Sequence, residues 1–232
     1  MIKYNRVLLK VSGESLAGEK RFGISEDSLM VLAKQIKSIV SLGVQVGVVV
    51  GGGNFWRGRQ SVDMDRGSSD YVGMLATVMN CIAVGDALNK VGVENKLISA
   101  LKIDKVAKTY SIPEVLTFLE QGKVVLFAAG TGLPYFSTDT TASLRACEIH
   151  ADAVLCAKNI DGVYDSDPKV NPNAVKFDSL TYSDVLEKDL KALDQTAIAM
   201  CREYSLPIVV FQNRDNAILD VVCGKNVGTI IK

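Results

Sequence analysis

The 232-residue sequence contains a single histidine, His150. Histidine is the commonest general base and a frequent zinc ligand, so its scarcity argues against histidine-based hydrolysis and against a zinc site. One near match to a hydrolase motif remains, because "GESLA" resembles the GxSxG elbow around Ser15, with Ala17 replacing the last glycine. We expect His150 to be a surface or capping residue at a helix end rather than a base for Ser15.

The sequence also lacks paired cysteines. Its five cysteines are odd in number, form no Cys-x-x-Cys pair and lie in apolar stretches. This usage predicts buried, reduced thiols in a cytoplasmic protein. The N-terminal apolar run is too short for a signal peptide, and we find no run of 18 apolar residues, so we expect no membrane span.

Neither sign of charge is in excess, since 26 Lys and Arg residues balance 26 Asp and Glu residues. Proteins that bind nucleic acids by their phosphates usually carry a basic excess, so nucleic-acid binding is not expected. Two nucleotide motifs are missing as well. There is no GxxxxGK[ST], and Trp56 and Tyr135 occupy the places where a GxGxxG motif needs its third glycine. A P-loop or dinucleotide fold is therefore not predicted.

What is present is an alternation of apolar strands and amphipathic helices. Strands are predicted at 6–11, 44–50, 95–99, 124–129, 153–157, 207–211 and 228–232. Helices are predicted at 26–42, 69–91, 113–121, 141–151, 182–188, 194–204 and 216–223. This order predicts an α/β fold, a three-layer αβα sandwich around a mostly parallel sheet, in one domain over residues 1–232.

Three glycine-rich loops follow the strands that end near Val11, Val50 and Ala129: "KVSGES", "GGGNFWRG" and "GTGLPYFSTDT". Ligands of such sheets bind at the carboxyl ends of the strands. Glycine lets backbone N–H groups approach a phosphate, and Lys10 and Arg57 supply positive charge. The loops favour phosphoryl transfer, which needs cations and N–H donors more than a side-chain base.

One carboxylate belongs to this interpretation. Asp139 lies near the start of the helix that follows the third loop. We expect Lys10 and Arg57 to neutralise charge on the moving phosphoryl group, and Asp139 to position Lys10 or Mg²⁺. The alternative is that Asp139 only caps its helix.

These motifs resemble the bacterial uridylate kinases (UMP kinases) of the amino acid kinase superfamily, over essentially the whole chain. The most specific stretches are "VGVVVGGGNFWRG", "VGMLATVMN", "AAGTGLPYFSTDT", "KNIDGVYDSDP" and "LTYSDVLEKDLKALD". Related kinases for acetylglutamate, glutamate, aspartate and carbamate share the first glycine loops in part, but not "FSTDT" or "GMLATVMN". The resemblance implies transfer of the γ-phosphoryl group of MgATP to UMP, giving UDP and ADP in pyrimidine nucleotide biosynthesis. It implies no side-chain general base, because the UMP phosphate is already an anionic nucleophile.

The resemblance also implies site residues, with UMP bound mainly by the N-terminal part of the chain and ATP mainly by the C-terminal part. The catalytic residues would be Lys10 and Arg57, together with Asp139, which we nominate from its position at the helix start rather than from the resemblance. The ATP contacts would be Lys10, Val11, Ser12, Gly13, Gly53, Arg57, Asn159, Tyr164 and Asp167. The UMP contacts would be Gly52, Asp70, Thr131, Gly132, Leu133, Pro134, Tyr135, Phe136, Ser137 and Thr138. Mg²⁺ would be held through phosphates, without a direct protein ligand.

Two of these residues have plain alternatives. Without the resemblance, the sequence favours an exposed first-turn aspartate at Asp70, stabilised by the helix dipole. Tyr164 could stack on adenine or be an ordinary core tyrosine.

The resemblance further implies a homohexamer assembled through dimers, GTP activation and UTP inhibition. The helix at 69–88 would suit such an interface or the core. The activation segment would comprise Gly18, Glu19, Lys20, Arg21, Phe22 and Gly23. Lys20 and Arg21 would hold a phosphate there or form a solvated turn.

A rival hypothesis is a non-catalytic nucleotide- or oxyanion-binding protein on the same fold, as in the molybdenum storage proteins. The joint presence of Lys10, Arg57 and "KNIDGVYDSDP" favours a kinase over that alternative.

Overall fold

A computed structural model describes residues 2–57, 63–191 and 193–232. Its strands are β1 (Arg6–Val11), β2 (Gln45–Val50), β3 (Asn95–Ser99), β4 (Lys108–Thr109), β5 (Val124–Ala128), β6 (Ala153–Lys158), β7 (Val163–Tyr164), β8 (Lys176–Phe177), β9 (Ser179–Leu180), β10 (Ile208–Gln212) and β11 (Gly228–Ile231). Its helices are α1 (Gly13–Ala17), α2 (Glu26–Val40), α3 (Arg66–Lys90), α4 (Ile112–Glu120), α5 (Thr138–Glu148), α6 (Tyr182–Glu187), α7 (Gln195–Glu203) and α8 (Ala217–Val222). Every strand and helix predicted from the sequence is present. The additional elements are too short to show a hydrophobic period.

Nine strands form one sheet in the order β4-β3-β5-β2-β1-β6-β10-β11-β9, and β7 pairs with β8 separately. In the described part of the chain, β10 and β11 are the one antiparallel pair of the large sheet. The other neighbours are parallel, which confirms the predicted mostly parallel sheet. Because β5, β2 and β1 are adjacent, their three following loops lie at one edge.

Two hydrophobic cores cover the two faces of the sheet. Successive residues of a strand point to opposite faces, so Val7 and Leu9 enter one core and Leu8 enters the other. The first core includes apolar residues of α2, α3 and α8, and the second includes residues of α4, α5, α6 and α7. This arrangement confirms the three-layer αβα architecture.

Capping side chains set where the helices near the sheet edge begin. Ser25 accepts from the backbone N–H of Ser28, so it caps α2 as predicted. Asp65 caps α3, and Ser137 caps α5, so both helices begin three residues earlier than the periodicity indicated. Asp139 therefore lies in the first turn of α5, and its interpretation as the cap is wrong.

The long helix α3 has the length and apolar composition to cross a membrane, alone among the helices of the described ranges. Of its apolar window, 56% is buried inside the fold, which is typical of a core helix. The sequence-based prediction had found no candidate span at all, because it counted only uninterrupted apolar runs.

The five cysteines are all free thiols. Cys81, Cys156 and Cys201 are buried, and Cys147 and Cys223 are partly exposed. Burial raises the pKa of the Cys156 thiol to about 11 and that of the Cys81 thiol to about 12. The prediction of buried, reduced thiols is confirmed for three of the five.

Candidate active site

The three glycine-rich loops meet around a cleft of about 660 Å³ at the carboxyl edge of β1, β2 and β5. Residues from all three loops line it, together with α3, α5 and the segment that precedes α7. The lining includes Lys10, Gly52, Gly53, Arg66, Asp70, Thr77, Gly130, Phe136, Ser137, Thr138, Asp139, Lys158 and Asp194. The structure thus brings together residues that the sequence nominated on all three separate loops.

A buried ion pair lies in this cleft. Lys10 Nζ, from the end of β1, is 2.9 Å from Asp139 Oδ1 in the first turn of α5. Burial by itself lowers the pKa of Lys10, but the charges of Asp139 and Asp194 and the hydrogen bond to Asp139 outweigh it, so the pKa is raised. Lys10 is therefore a fixed positive charge whose side chain is only 11% exposed.

Two of the loop glycines are required by packing rather than by a ligand. A Cβ on Gly13 would lie 2.4 Å from the carbonyl oxygen of Gly51, so the first two loops touch backbone to backbone. A Cβ on Gly52 would lie 2.7 Å from the carbonyl oxygen of Gly73 on α3. At Gly53 the nearest atom would be 3.7 Å away, which is an ordinary contact. Of these three glycines, Gly53 alone could carry a Cβ without a steric clash.

A pair of buried amides holds the second loop, and the sequence interpretation missed it. Asn54 and Asn80 exchange two hydrogen bonds, at 2.9 and 2.7 Å. Asn80 also donates to the carbonyl oxygen of Gly51, and Asn54 donates to that of Gly23. The polar Asn80 within the apolar run "ATVMNCIAV" was the available signal, since a buried amide needs partners.

Asp70 holds the third loop instead of facing solvent. Its carboxylate accepts from the backbone N–H of Tyr135 at 2.8 Å and from Nε of Arg66 at 3.0 and 2.9 Å. It lies beyond the first turn of α3, and its side chain is 16% exposed. The alternative of an exposed first-turn aspartate is therefore wrong.

The ten residues predicted to contact UMP divide into two groups. Gly52, Asp70, Phe136, Ser137 and Thr138 line the cleft. Thr131, Gly132, Leu133, Pro134 and Tyr135 form the outer part of the loop and are not among the lining residues. A carboxylate on α3 nevertheless fastens this outer part, through the N–H group of Tyr135, to the wall of the cleft.

Asp194, another residue that the sequence interpretation missed, joins the N-termini of two helices. It caps α7 by accepting from the N–H of Ala197 at 2.8 Å. It also accepts from the hydroxyls of Ser137 and Thr140 at the start of α5. The sequence placed Asp194 at a helix start, but only the fold shows that α5 meets α7 there.

We expect Asp194→Asn to lower the melting temperature by about 4–8 °C, because hydrogen bonds to a charged acceptor contribute about 2 kcal/mol. The amide also loosens the segment before α7, which borders the cleft, so nucleotide KM values should rise several-fold. Thermal unfolding and steady-state kinetics measure both effects.

The matched control for this variant is Asp152→Asn. The Asp152 carboxylate accepts from the backbone N–H groups of Asn5 at 2.6 Å and Arg6 at 2.9 Å, at the edge of the sheet opposite the cleft. This variant should lose stability without a change in KM. An Asp194→Asn protein with unaltered KM values would limit Asp194 to a structural role.

A second pocket of about 310 Å³ adjoins the cleft and shares Lys158, Asp189, Leu190 and Lys191 with it. Tyr164 and Asp167 both line this pocket. They are therefore close together, as two contacts of one ATP molecule would have to be. The Tyr164 hydroxyl donates to Asp161 at 2.7 Å, and the side chain is partly exposed, so Tyr164 is not an ordinary core residue. Asn159 is exposed and lines neither pocket.

Arg57 lies outside the main cleft. Its Nη2 is 2.6 Å from Glu14 Oε1, and its side chain is 50% exposed. It borders a shallow pocket of about 380 Å³ with Arg21 and Phe22 from the predicted activation segment, where Phe22 packs edge-on against Phe55. The structure therefore places this cation beside the second loop but does not direct it toward Lys10.

Val11 and Ser12 are also absent from the cleft lining. Val11 is buried at the end of β1, and Ser12 precedes α1 as its cap residue, without a side-chain capping bond. Their backbone belongs to the first loop, which contacts the second loop closely where Gly13 meets Gly51.

The hydrolase alternative is contradicted by the geometry. The hydroxyl of Ser15 donates to the carbonyl oxygen of Ser12 beyond the carboxyl end of β1. His150 is exposed and follows α5, before the start of β6. Because β1 and β6 are parallel neighbours, the two side chains lie at opposite edges of the sheet, about 20 Å apart. His150 is a surface residue, as expected.

Within residues 2–57, 63–191 and 193–232, no three His, Cys, Asp or Glu side chains cluster as a metal site would require. Asp139 and Asp194 are cleft carboxylates whose charges raise the pKa of Lys10. A cation held mainly by substrate phosphates with one or two carboxylates fits this donor set.

Comparison with known proteins identifies the family of the whole chain. The model of the amino acid kinase family matches residues 5–212. The crystal structure of UMP kinase from Bacillus anthracis is 35% identical, with a TM-score of 0.96 over 99% of this chain and 96% of that one. UMP kinase from Ureaplasma parvum is 40% identical, with a TM-score of 0.94 and all of both chains covered.

A more distant structure shows the same architecture. Uridylate kinase from Archaeoglobus fulgidus is 28% identical, with a TM-score of 0.75 over 97% of this chain and 99% of that one. The chain therefore belongs to the amino acid kinase family and is similar to its bacterial UMP kinases over its whole length.

Proposed function

We propose that this protein is a UMP kinase that transfers the γ-phosphoryl group of MgATP to UMP, giving UDP and ADP for pyrimidine nucleotide biosynthesis. The observation that carries the proposal is the cleft in which three glycine-rich loops surround the buried Lys10–Asp139 pair. Strong similarity to two UMP kinases over at least 96% of their lengths supports the choice of acceptor.

The chemistry follows from the electrostatics of the cleft. Lys10 is a fixed cation beside the position where charge is transferred, and its orientation is set by Asp139. Gly53 leaves room for a phosphate to approach backbone N–H groups. No side-chain base is needed, because the phosphate of a nucleoside monophosphate is already ionised at neutral pH.

The two substrates would occupy the two connected pockets of one domain. UMP would bind beside the third loop and Asp70, formed by the N-terminal part of the chain. ATP would place its base and ribose in the smaller pocket beside Tyr164 and Asp167, and its phosphates near Lys10. Lys158 borders both pockets, so ATP would pass beside it between the smaller pocket and Lys10.

Mg²⁺ would accompany ATP, held by its phosphates, with Asp139 and Asp194 as the nearby carboxylates. The ion would reduce the negative charge on the phosphate oxygens. The protein's own part is to keep Lys10 and the loop N–H groups oriented toward the same point.

Assembly and regulation are part of the proposal. The outer face of α3 carries a stripe of apolar side chains that are 37–50% exposed: Tyr71, Val72, Leu75, Met79 and Ile82. Burial of this stripe against a second copy would form the dimers of a homohexamer. GTP would activate through the segment 18–23, UTP would inhibit, and the enzyme would act in the cytoplasm.

A panel of acceptors tests the function directly. ADP release is measured with UMP, CMP, acetylglutamate and carbamate at saturating MgATP. We expect UMP to give the highest kcat/KM by at least about 100-fold, since a polar pocket built for one base rejects others strongly. Equal turnover with another acceptor would contradict the specificity, and ATP binding without any turnover would favour the non-catalytic alternative.

A further inference from the structure

The third glycine-rich loop begins with two consecutive residues in the left-handed region of backbone conformation. Ala129 has φ of 62° and Gly130 has φ of 58°. Glycine adopts this conformation freely, but a residue with a Cβ does so at a cost. Ala129 is also completely buried. The surrounding structure must therefore hold this turn in place.

Thr77 holds the first residue of the turn. The backbone N–H of Ala129 donates to Thr77 Oγ1 at 2.8 Å, and the same hydroxyl donates to the carbonyl oxygen of Met74 at 2.7 Å. Thr77 is 8% exposed, so water does not readily replace either bond. Valine has nearly the same shape and would remove both.

Arg145 holds the second residue of the turn. Its Nη2 donates to the carbonyl oxygen of Gly130 at 3.3 Å, while its Nη1 donates to Glu148 Oε2 at 2.6 Å. The guanidinium lies 3.8 Å from the centre of the Tyr110 ring, and the Tyr110 hydroxyl in turn donates to Glu148. Arg145 is 4% exposed, so this closed network is an internal support rather than a surface ion pair.

Both supports act on the acceptor side of the site. Gly130 and Thr77 line the main cleft, and neither Thr77 nor Arg145 lines the smaller pocket beside Tyr164. From this turn the chain runs through the loop 130–137 to the start of α5. A change in the first two residues therefore alters the direction in which the loop leaves β5.

We propose that Thr77 and Arg145 are positioning residues that hold the Ala129–Gly130 turn in its left-handed conformation and so set the affinity for the acceptor nucleotide. This inference rests on the proposed function, in which the loop binds UMP. ATP binding should depend on these residues much less, because its base and ribose pocket lies on the other side of the cleft.

The test compares Thr77→Val and Arg145→Lys with two matched controls. Thr117→Val removes a hydroxyl that donates to the carbonyl oxygen of Pro113 on α4. Arg6→Lys alters an arginine that donates to the carbonyl oxygen of Ile149 at the opposite edge of the sheet. KM for UMP is measured at saturating ATP, and KM for ATP at saturating UMP. We expect the first to rise about tenfold in the test variants, equivalent to one lost hydrogen bond, and the second less than about threefold.

A double variant separates positioning from direct contact, since Thr77 itself borders the cleft. Ala129→Gly removes the cost of the left-handed turn, so adding it to Thr77→Val should restore much of the UMP affinity. If Thr77 acted only by touching the nucleotide, this second change would restore nothing. If Arg145→Lys does not fold, Tyr110→Phe loosens the same network with a smaller loss.

Any one of three results would overturn the inference. The KM values for UMP and ATP could rise equally, the melting temperature could fall without any change in KM, or Ala129→Gly could fail to restore the UMP affinity. The wild-type acceptor panel is run first, so that a failure of the proposed function is recognised separately. If another acceptor is phosphorylated instead of UMP, the changes in the KM for that acceptor and in the KM for ATP are compared in the same way. If no acceptor is used, calorimetric Kd values for UMP and ATP replace the KM values.

Discussion

Replacing Lys10 by methionine should lower kcat by about 1,000-fold, because it removes a preorganised charge from the centre of the cleft. The same change leaves the Asp139 carboxylate without the partner that lies 2.9 Å away. We therefore also expect a loss of about 3 kcal/mol in the free energy of unfolding, as is typical when one member of a buried ion pair is removed. Steady-state kinetics and denaturant unfolding measure the two effects.

The double variant Lys10→Met with Asp139→Asn distinguishes catalysis from folding. It removes both charges of the pair, so stability should recover in part while kcat stays at its low value. A recovery of kcat together with stability would show that Lys10 acts only through the fold. Lys37→Met is the control, since Lys37 is a lysine of α2 whose ammonium donates to the carbonyl oxygen of Val91 at the surface.

Replacing Arg57 by alanine should lower kcat by at least about 100-fold, comparable to the loss of one transition-state donor. In the structure Arg57 pairs with Glu14 outside the main cleft. An exposed ion pair of this kind contributes at most about 1 kcal/mol, so Arg57 can leave Glu14 at little cost when substrates bind. The free energy of unfolding should therefore stay nearly unchanged, in contrast to the Lys10 variant.

Glu14→Gln tests the movement of Arg57. It weakens the ion pair while keeping the arginine, so kcat should change by less than about threefold or rise slightly. An unaltered kcat in Arg57→Ala would refute the catalytic role that the sequence resemblance assigned to Arg57. If kcat also falls strongly in Glu14→Gln, then catalysis depends on the Arg57–Glu14 ion pair itself and not on an Arg57 released from it.

The elements of this fold were predictable because their signals are local. Apolar runs of strand length, helical periodicity and stop residues such as Gly43, with φ of 85°, occur within short windows of sequence. Errors arose where a side-chain cap outweighed periodicity, as Ser137 does at the start of α5. Position along the chain also sufficed to place the three glycine-rich loops at one edge, since parallel strands share a direction.

Residues on all three loops of the candidate site were likewise nominated from the sequence, but their physical reasons were not. In the sequence, a loop glycine looks the same whether a phosphate or another segment of backbone approaches it closely. The carbonyl oxygens of Gly51 and Gly73 explain Gly13 and Gly52, and of these three glycines Gly53 alone could carry a Cβ at an ordinary contact distance.

By itself, the sequence determined the αβα architecture, the three loops and the kinase family, because each depends on residues that are near one another along the chain. The tertiary structure alone decided that Asn54 pairs with Asn80, that Asp194 joins α5 to α7, and that Arg57 lies beside Glu14. These contacts join residues 26 to 57 positions apart. The sequence does not show which group a polar side chain will form a hydrogen bond with. Only the packing of the helices on the sheet brings the two partners within bonding distance.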